Sequence, residues 1–320
     1  MKKYIFLATA VVALAACSSN EEFEQIGKCE IKLNSTLLVQ TRAAQGIQSE
    51  AFDSGAEVAV YINENSSSPS TSYTQPLEYE VGEDGSLTTT TTQYFPQNGN
   101  GITIYAVYPL DATKNGVLVT DESAQFSVQS DQSTDDNYKA SDLMVGSPTT
   151  NDKVVYRTTN NVTLQFKHCL TKINVNISAG DGILESDLQG ATVTIYTRTN
   201  EATFNVQTGI VTALESQGQA ASPFVSLGTL TVTEEAGPIG MSGIIIPQVI
   251  SAGSLFIRIS TTNQTSYGYS IPTTVNEVEF VAGKAYTYNL TVRKSDITID
   301  TITITDWDNV GETDGDAYRM

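Results

Sequence analysis

Hydrophobic and polar residues alternate in short runs along most of the chain, and the repeat of about 3.6 residues that marks amphipathic helices is almost absent. Val, Ile, Thr and Tyr are frequent in these runs, and Gly, Asn, Asp, Ser and Pro separate them. The sequence therefore predicts an all-β fold, whose clearest strands are Val58–Ile62, Leu77–Val81, Ile102–Tyr108, Val162–Phe166, Ile173–Ile177, Val193–Tyr196, Leu255–Ile259, Tyr286–Val292 and Ile297–Ile304.

The run from Lys284 to Val292 shows the alternation clearly. Its tyrosines and aliphatic residues fall on one face, whereas Thr287, Asn289 and Thr291 fall on the other. Such a strand belongs to a sheet with one face in a core and one face in water, and many short strands of this kind indicate β-sandwiches. A short helical turn is predicted at residues 184–188, with Ser186 as its cap.

The first residues of the chain form an export signal. Lys2 and Lys3 precede an apolar run from Tyr4 to Leu14, and small residues then lead to Cys17. This pattern predicts a lipoprotein signal peptide over residues 1–16, cleavage between Ala16 and Cys17, and acylation of the Cys17 thiol, which would anchor the protein in a membrane. The alternative is an ordinary secretory signal followed by a chance cysteine.

The rest of the chain is long enough for two domains. Polar, turn-prone stretches surround residues 150–161, and a new strand follows them. We therefore expect a lipidated N-terminal segment over residues 17–42, an N-terminal β-sandwich over 43–155 and a C-terminal β-sandwich over 156–320.

The net charge bears on nucleic-acid binding, and the cysteine content bears on disulfide formation. The formal charge is −19, and it becomes about −21 once Lys2 and Lys3 leave with the signal, so nucleic acid is a poor partner. Cys29 and Cys169 remain beside the lipidated cysteine. They form either one disulfide or two buried thiols; their separation in sequence carries no information about their distance in the fold, and we favour the thiols.

Candidate chemistry is sparse. His168 is the single histidine and neighbours Cys169, but adjacent strand residues point to opposite faces, so a half-buried, hydrogen-bonded histidine is favoured over a catalytic one. Zinc ligands are too few, and the acidic residues after Asp306 fail the EF-hand spacing. We predict no catalytic residue, no metal and no cofactor. Two alternatives stay open: an uncharacterised hydrolase, and a monomeric lipoprotein that binds glycan through strand tyrosines such as Tyr73, Tyr79, Tyr94, Tyr105 and Tyr108.

Several stretches, taken in order, resemble the fimbrillin family of the Bacteroidales, the lipoprotein subunits of type V pili. The acidic Ser18–Glu22 is similar to the export signal of surface lipoproteins in the Bacteroidota, which implies the outer face of the outer membrane. The matching stretches are Val39–Ala43, Val58–Tyr61, Ile104–Pro109, Ser141–Met144, the F-x-H-x-L-x-K pattern in Phe166–Ile173, Ile244–Gln248, Gly283–Tyr288 and Ile304–Trp307.

This resemblance implies two tandem transthyretin-like β-sandwiches and assembly by strand exchange. An arginine-specific protease would cut between Arg42 and Ala43 and release an upstream strand in which Ile31, Leu33 and, after a register shift, Leu38 fill a groove. A strand of the next subunit would then occupy that groove. The implied partners are other fimbrillin subunits, the protease, the outer membrane and a surface ligand, and the implied location is the fimbrium.

A candidate donor strand lies near the C-terminus, at residues 297–304. Its isoleucines, Ile297, Ile299, Ile302 and Ile304, change parity in the middle, so a bulge or a corner is expected there. The same alternation also fits the final core strand of the second sandwich, and the sequence does not separate these two interpretations. Stalk, tip and anchor roles stay equally open.

Overall fold

The computed structural model describes residues 27–37, 52–73, 75–114, 123–150, 153–214, 223–232 and 239–307. The strands are β1 Leu33–Leu37, β2 Glu57–Glu64, β3 Leu77–Val81, β4 Ser86–Thr88, β5 Ile102–Tyr108, β6 Ser123–Ser127, β7 Met144–Pro148, β8 Val154–Val155, β9 Val162–His168, β10 Thr171–Ala179, β11 Thr192–Tyr196, β12 Glu201–Asn205, β13 Val211–Ala213, β14 Phe224–Thr229, β15 Ile239–Ile245, β16 Gln248–Ser251, β17 Leu255–Ser260, β18 Ser266–Ser270, β19 Glu277–Phe280, β20 Lys284–Val292 and β21 Ile297–Asp306. The short helices are α1 Asp111–Lys114, α2 Asp135–Ala140 and α3 Glu185–Leu188.

The all-β prediction is confirmed, and each of the nine strands named from the sequence is present. The helical turn is also present as α3, but its cap differs from the prediction. Leu184 is the N-cap, and its backbone N–H donates to the Asp187 carboxylate at 2.8 Å. Ser186 instead lies inside the first turn, and the side chain that serves a backbone donor at this end is the carboxylate of Asp187.

Seven strands of the N-terminal half form a sheet that closes on itself. The order is β2-β3-β4-β1-β9-β7-β5, and β5 also pairs with β2, so that the last strand meets the first. The short β8 pairs with the start of β5. Within this closed sheet, β1 lies between β4 and β9 and has hydrogen-bonded neighbours on both sides.

The C-terminal half contains smaller sheets. The two largest have the orders β15-β10-β20-β21 and β14-β11-β17-β18, and β16 pairs with β19. A three-stranded sheet, β13-β12-β6, takes β6 from the N-terminal half of the chain. The transthyretin-like arrangement of two sandwiches stays a prediction.

Strand pairing favours a later division of the chain than the predicted one between residues 155 and 156. β9 pairs with β1 and β7 and therefore belongs to the N-terminal closed sheet. The next strand, β10, pairs with β15 and β20 in a C-terminal sheet. The chain thus passes from the closed sheet to a C-terminal sheet between His168 and Thr171, and residues 153–161 of the polar stretch include β8. The exact domain boundary stays a proposal.

Two hydrophobic cores lie on opposite faces of the closed sheet. Along β2, Val58, Val60 and Ile62 belong to the inner core, whereas Ala59 and Tyr61 belong to a larger core shared with the C-terminal sheets. Both faces of this strand are therefore buried, which explains its nearly continuous apolar sequence. Among the tyrosines considered for glycan stacking, Tyr79, Tyr105 and Tyr108 are buried in these cores, as packing groups are.

Glu64, the last residue of β2, holds the polar loop that follows the strand. The buried Glu64 carboxylate accepts hydrogen bonds from the backbone N–H groups of Ser70 and Thr71, both at 2.8 Å. It also accepts from the side-chain amides of Asn98 at 2.7 Å and Asn100 at 2.6 Å. The hydrogen bond from Asn98, followed by those from Asn100 and the two backbone donors, lowers the pKa of Glu64 from 4.5 to about 2.

This carboxylate predicts a specific acid sensitivity. Because the pKa of Glu64 is lower in the folded state, its contribution to stability is complete above about pH 4.5 and is lost as the pH falls toward about 2. Glu64→Gln is expected to lower the urea midpoint at neutral pH and to flatten its fall across that acid range. Glu57→Gln, an exposed change on the same strand, serves as the control. An unchanged acid slope in Glu64→Gln would contradict the assignment.

Candidate functional site

The strand predicted upstream of Arg42 is β1, and it is a central member of the closed sheet. Leu33 and Asn34 pair with Leu87 and Ser86 in antiparallel register, while residues 33–37 pair in parallel with Val162–Phe166 of β9. Before β1, Ile31 donates its N–H to Gln93 O at 2.8 Å. Withdrawal of this segment would leave unpaired backbone groups on both β4 and β9, which is the geometry of a strand-accepting groove.

Side chains of the same segment fill the inner core. Cys29, Ile31, Leu33 and Leu37 are buried there, so the predicted burial of Ile31 and Leu33 is confirmed. Leu37 continues the parity of Leu33, and the register shift expected before Leu38 stays a prediction. The intervening Ser35 hides this regularity in the sequence; its hydroxyl donates to Gly85 O at 3.0 Å. Leu38 lies outside the described residues.

One buried polar group beside β1 lacks a partner. Tyr79, on β3, is 3% exposed, and its hydroxyl has no hydrogen bond within the described part of the chain. Burial and the nearby Glu30 raise the pKa of Tyr79 to about 12. A cavity of about 270 Å³ lies at this place, between β1, the end of β4 and Gln93.

The candidate donor strand is docked on its own subunit as β21. It pairs in antiparallel register along the whole of β20, and the register shift opposite Asn289 and Leu290 leaves Asp300 as an extra residue. The bulge predicted from the isoleucine parity is confirmed. Ile297, Ile299 and Ile302 pack against the larger core, whereas Ile304 is 38% exposed. None of the ten residues of β21 is fully buried, so the strand is held shallowly.

Three of the sequence stretches that carry the family resemblance meet at one cluster. His168, at the end of β9, places its Nδ1 at 2.7 Å from Asp142 Oδ1, and the two side chains are 3% and 2% exposed. The other partner is Trp307, whose ring stacks on the imidazole with centroids 4.0 Å apart and planes inclined by 4°. We call these residues the Asp142–His168–Trp307 cluster.

Each member of the cluster is positioned by backbone structure. Asp142 follows α2, whose N-cap Thr134 accepts from the Asn137 N–H. Trp307 follows β21, and its N–H donates to Gly283 O at 2.7 Å, while the preceding Asp306 forms an ion pair with Lys284. The Nζ of Lys172 lies 5.8 Å from the centre of the Trp307 ring. Burial lowers the pKa of Lys172, and the charge of Asp142 opposes that change.

The chemistry of the cluster is that of packing and ion pairing. The buried imidazole is hydrogen-bonded to a carboxylate and covered by an indole, as the sequence interpretation of a satisfied histidine requires. Cys29 and Cys169 are buried in different cores as thiols rather than a disulfide. The described residues contain no group of three or more His, Cys, Asp or Glu side chains arranged for a metal ion. The expectation of no cofactor stays a prediction.

The remaining predicted site residues lie outside the described residues. They are Ala16 and Cys17 of the lipidation site and Arg42 and Ala43 of the protease site. None of the helices in the described ranges has the length and hydropathy of a membrane span.

Sequence reasoning did not identify the Asp142–His168–Trp307 cluster. Its members belong to three stretches that were each noted separately, and no spacing along the chain indicates that they converge. The only available signal was that the single histidine and the single tryptophan both occur within such stretches.

Comparison with known proteins agrees with the fold and the resemblance. A family model described as fimbrillin-like matches residues 41–307, and a prokaryotic membrane lipoprotein lipid attachment site matches residues 1–18. The candidate fimbrium subunit Fim1C of Bacteroides uniformis is 26% identical over 318 residues, which cover 96% of each chain.

Two crystal structures of candidate cell adhesion proteins share the fold. The one from Bacteroides uniformis has a TM-score of 0.61 at 22% identity and covers 87% of this chain and 99% of its own. The one from Bacteroides ovatus has a TM-score of 0.66 at 20% identity and covers 89% of this chain and 99% of its own. With the family model matching most of its length, this chain belongs to the fimbrillin-like family.

Proposed function

We propose that this protein is a structural subunit of a fimbrium, exported as a lipoprotein to the outer membrane and assembled by protease-triggered strand exchange. Family membership and the similarity to Fim1C support the fimbrial role, and the lipid attachment match supports the export route. The observation that carries the assembly mechanism is the place of β1, which lies between β4 and β9 and shortly upstream of Arg42.

Cleavage between Arg42 and Ala43 would free β1 from the chain that follows it. The backbone groups of β4 and β9 and the pockets of Ile31, Leu33 and Leu37 would then be exposed. Each of these side chains is stabilised by about 2 kcal/mol on burial, so the empty groove favours any strand that refills it. Backbone pairing gives such a strand its affinity, and alternate side-chain pockets give it specificity.

The β21 strand suits the role of donor. It alternates isoleucine with threonine, and among the strands that the structure describes it has β20 alone as a sheet neighbour. Leaving β20 would expose side chains that are only partly buried, whereas entry into a groove of the next subunit would enclose them. The single bulge at Asp300 allows its isoleucines to face one side on both halves of the strand.

Before cleavage, a lipid on Cys17 would hold the precursor at the outer membrane. Afterwards the segment of residues 17–42 would stay behind with the lipid, and the mature subunit would join other subunits. An arginine-specific protease and a surface ligand are the remaining proposed partners. A stalk subunit needs both an open groove and a donor strand, and β1 and β21 offer a candidate for each. No catalytic role is assigned.

Treatment of the purified precursor with an arginine-specific protease tests the proposal. We expect a new N-terminus at Ala43 and the conversion of monomer into a ladder of oligomers. Arg42→Lys keeps the charge but removes the cleavage site, and it is expected to stay monomeric under the same treatment. Cleaved protein that remains monomeric and binds a polysaccharide tightly would instead support the glycan-binding alternative.

A further inference from the structure

The only tryptophan and the only histidine of the chain stack on each other. One lies beside the proposed donor strand and the other beside the proposed groove. Trp307 directly follows β21, the candidate donor. His168 ends β9, which is one wall of the position that β1 occupies. A single contact therefore joins the donor strand to the strand that would line the groove.

Both partners of this contact are held firmly while β1 is in place. The imidazole of His168 is fixed by Asp142 at 2.7 Å, and its strand pairs with β7 on one edge and with β1 on the other. On the donor side, the backbone of Trp307 is fixed by the hydrogen bond from its amide N–H to Gly283 O, and its ring lies 5.8 Å from the Nζ of Lys172. An aromatic stack between two immobilised rings loses little conformational freedom, so it contributes more than an exposed one.

The stack matters for β21 because the strand has little other anchorage. None of its ten residues is fully buried, and one edge carries all of its sheet pairing. Edge strands with partly exposed side chains open at low free energy compared with core strands. An anchored residue at the end of such a strand therefore has a large influence on whether the strand stays docked.

The β9 strand connects the Trp307–His168 stack to the presence or absence of β1 in the groove. Leu37 of β1 pairs with Phe166, two residues before His168. After withdrawal of β1, β9 would keep its pairing with β7 alone and would become an edge of the opened sheet. An edge strand fluctuates more than a central one, so the platform on which Trp307 stacks would be less firmly held.

We infer that Trp307 and His168, with Asp142, form a latch that keeps the donor strand on its own subunit until β1 has left. This inference rests on the proposed function. The latch sets the order of events: the groove opens first, and β21 is released second. His168 and Asp142 are positioning residues in this scheme, since they act on β21 through Trp307.

The single tryptophan makes the latch measurable in the uncut, full-length precursor. Leu33→Ala weakens β1 at a residue that pairs with both β4 and β9, and Leu77→Ala removes the same atoms from β3 in the same inner core, away from β9. Acrylamide quenching of Trp307 is expected to increase at least about twofold in Leu33→Ala and to stay at the wild-type level in Leu77→Ala. If Leu33→Ala does not fold, Leu37→Val supplies the same comparison.

The two proposals fail in different ways. Equal quenching in the β1 and β3 variants, or no increase in either, overturns the latch even if cleaved protein polymerises. An increase confined to the β1 variant supports the latch even if cleaved protein stays monomeric, in which case the strand-exchange proposal fails instead. His168→Ala is a further check: it is expected to raise Trp307 quenching in the uncut precursor, and an unchanged value would also overturn the latch.

Discussion

A precursor in which β1 is covalently tied to β4 is expected to be cut after Arg42 and still to remain monomeric. Asn34 and Ser86 face each other as an antiparallel pair, and directly opposed residues have Cα atoms about 4.5–5.5 Å apart, within the range that a disulfide spans. Asn34→Cys with Ser86→Cys should therefore lock the upstream strand in the sheet. The groove then stays filled although the chain is cleaved, and addition of a reductant should start assembly.

The control for this lock is a disulfide elsewhere in the same closed sheet. Glu57 of β2 and Glu80 of β3 form another antiparallel pair, and both side chains are exposed. Glu57→Cys with Glu80→Cys is expected to assemble after cleavage with or without reductant. The measurement is the oligomer ladder after treatment with protease. Ladders from the Asn34–Ser86 variant before reduction would show that β1 need not leave, and strand exchange at this position would be abandoned.

The second prediction concerns the donor strand instead of the groove. Replacement of an isoleucine of β21 by a charged residue is expected to stop assembly. Ile302→Asp places a carboxylate on the apolar face of β21, which packs partly against the core in its own subunit and would be enclosed in the groove of the next one. Burial of an unpaired charge costs at least about 3 kcal/mol, which corresponds to a loss of roughly a hundredfold in the association constant.

Mixing experiments separate a donor defect from misfolding. Cleaved Ile302→Asp still has an open groove, so it should accept a wild-type donor strand and shorten the polymers by capping their ends. Thr301→Asp, on the exposed face of the same strand, should fold like the wild type, because the new carboxylate still accepts from the Asn289 amide that now donates to Thr301. It should also assemble normally, because its side chain does not belong to the apolar face that the groove would enclose. Equal assembly of the two variants would remove β21 as the donor.

The strands could be predicted because alternation is a local property of the sequence. Leu77–Val81 and Ile102–Tyr108 each carry their own pattern, so each was placed at its observed bounds. The parity change among the isoleucines of β21 likewise located its bulge. At β1 the burial of Leu37 was not predicted, because Ser35 interrupts the alternation of apolar residues between Leu33 and Leu37.

Pairings between distant segments could not be predicted in the same way. The parallel contact of β1 with β9 and the closure of β5 on β2 join residues whose sequences carry no record of their partners. The convergence of Asp142, His168 and Trp307 depends on these long-range pairings, so it was equally hidden. The polar stretch before β9 resembled a domain linker for the same reason, because surface connections and linkers share a composition.

The closed sheet also affects whether the precursor associates prematurely during export. Open sheet edges template unwanted association, and the risk grows with concentration. In the N-terminal half, the ring of seven strands offers each of its members a neighbour on both sides. The precursor thus carries its reactive surface in a capped form, and crowding during passage across the cell envelope would not by itself start a fibre. Under the proposed mechanism, growth would begin where the protease is found, and the position of the enzyme would decide where a fimbrium forms.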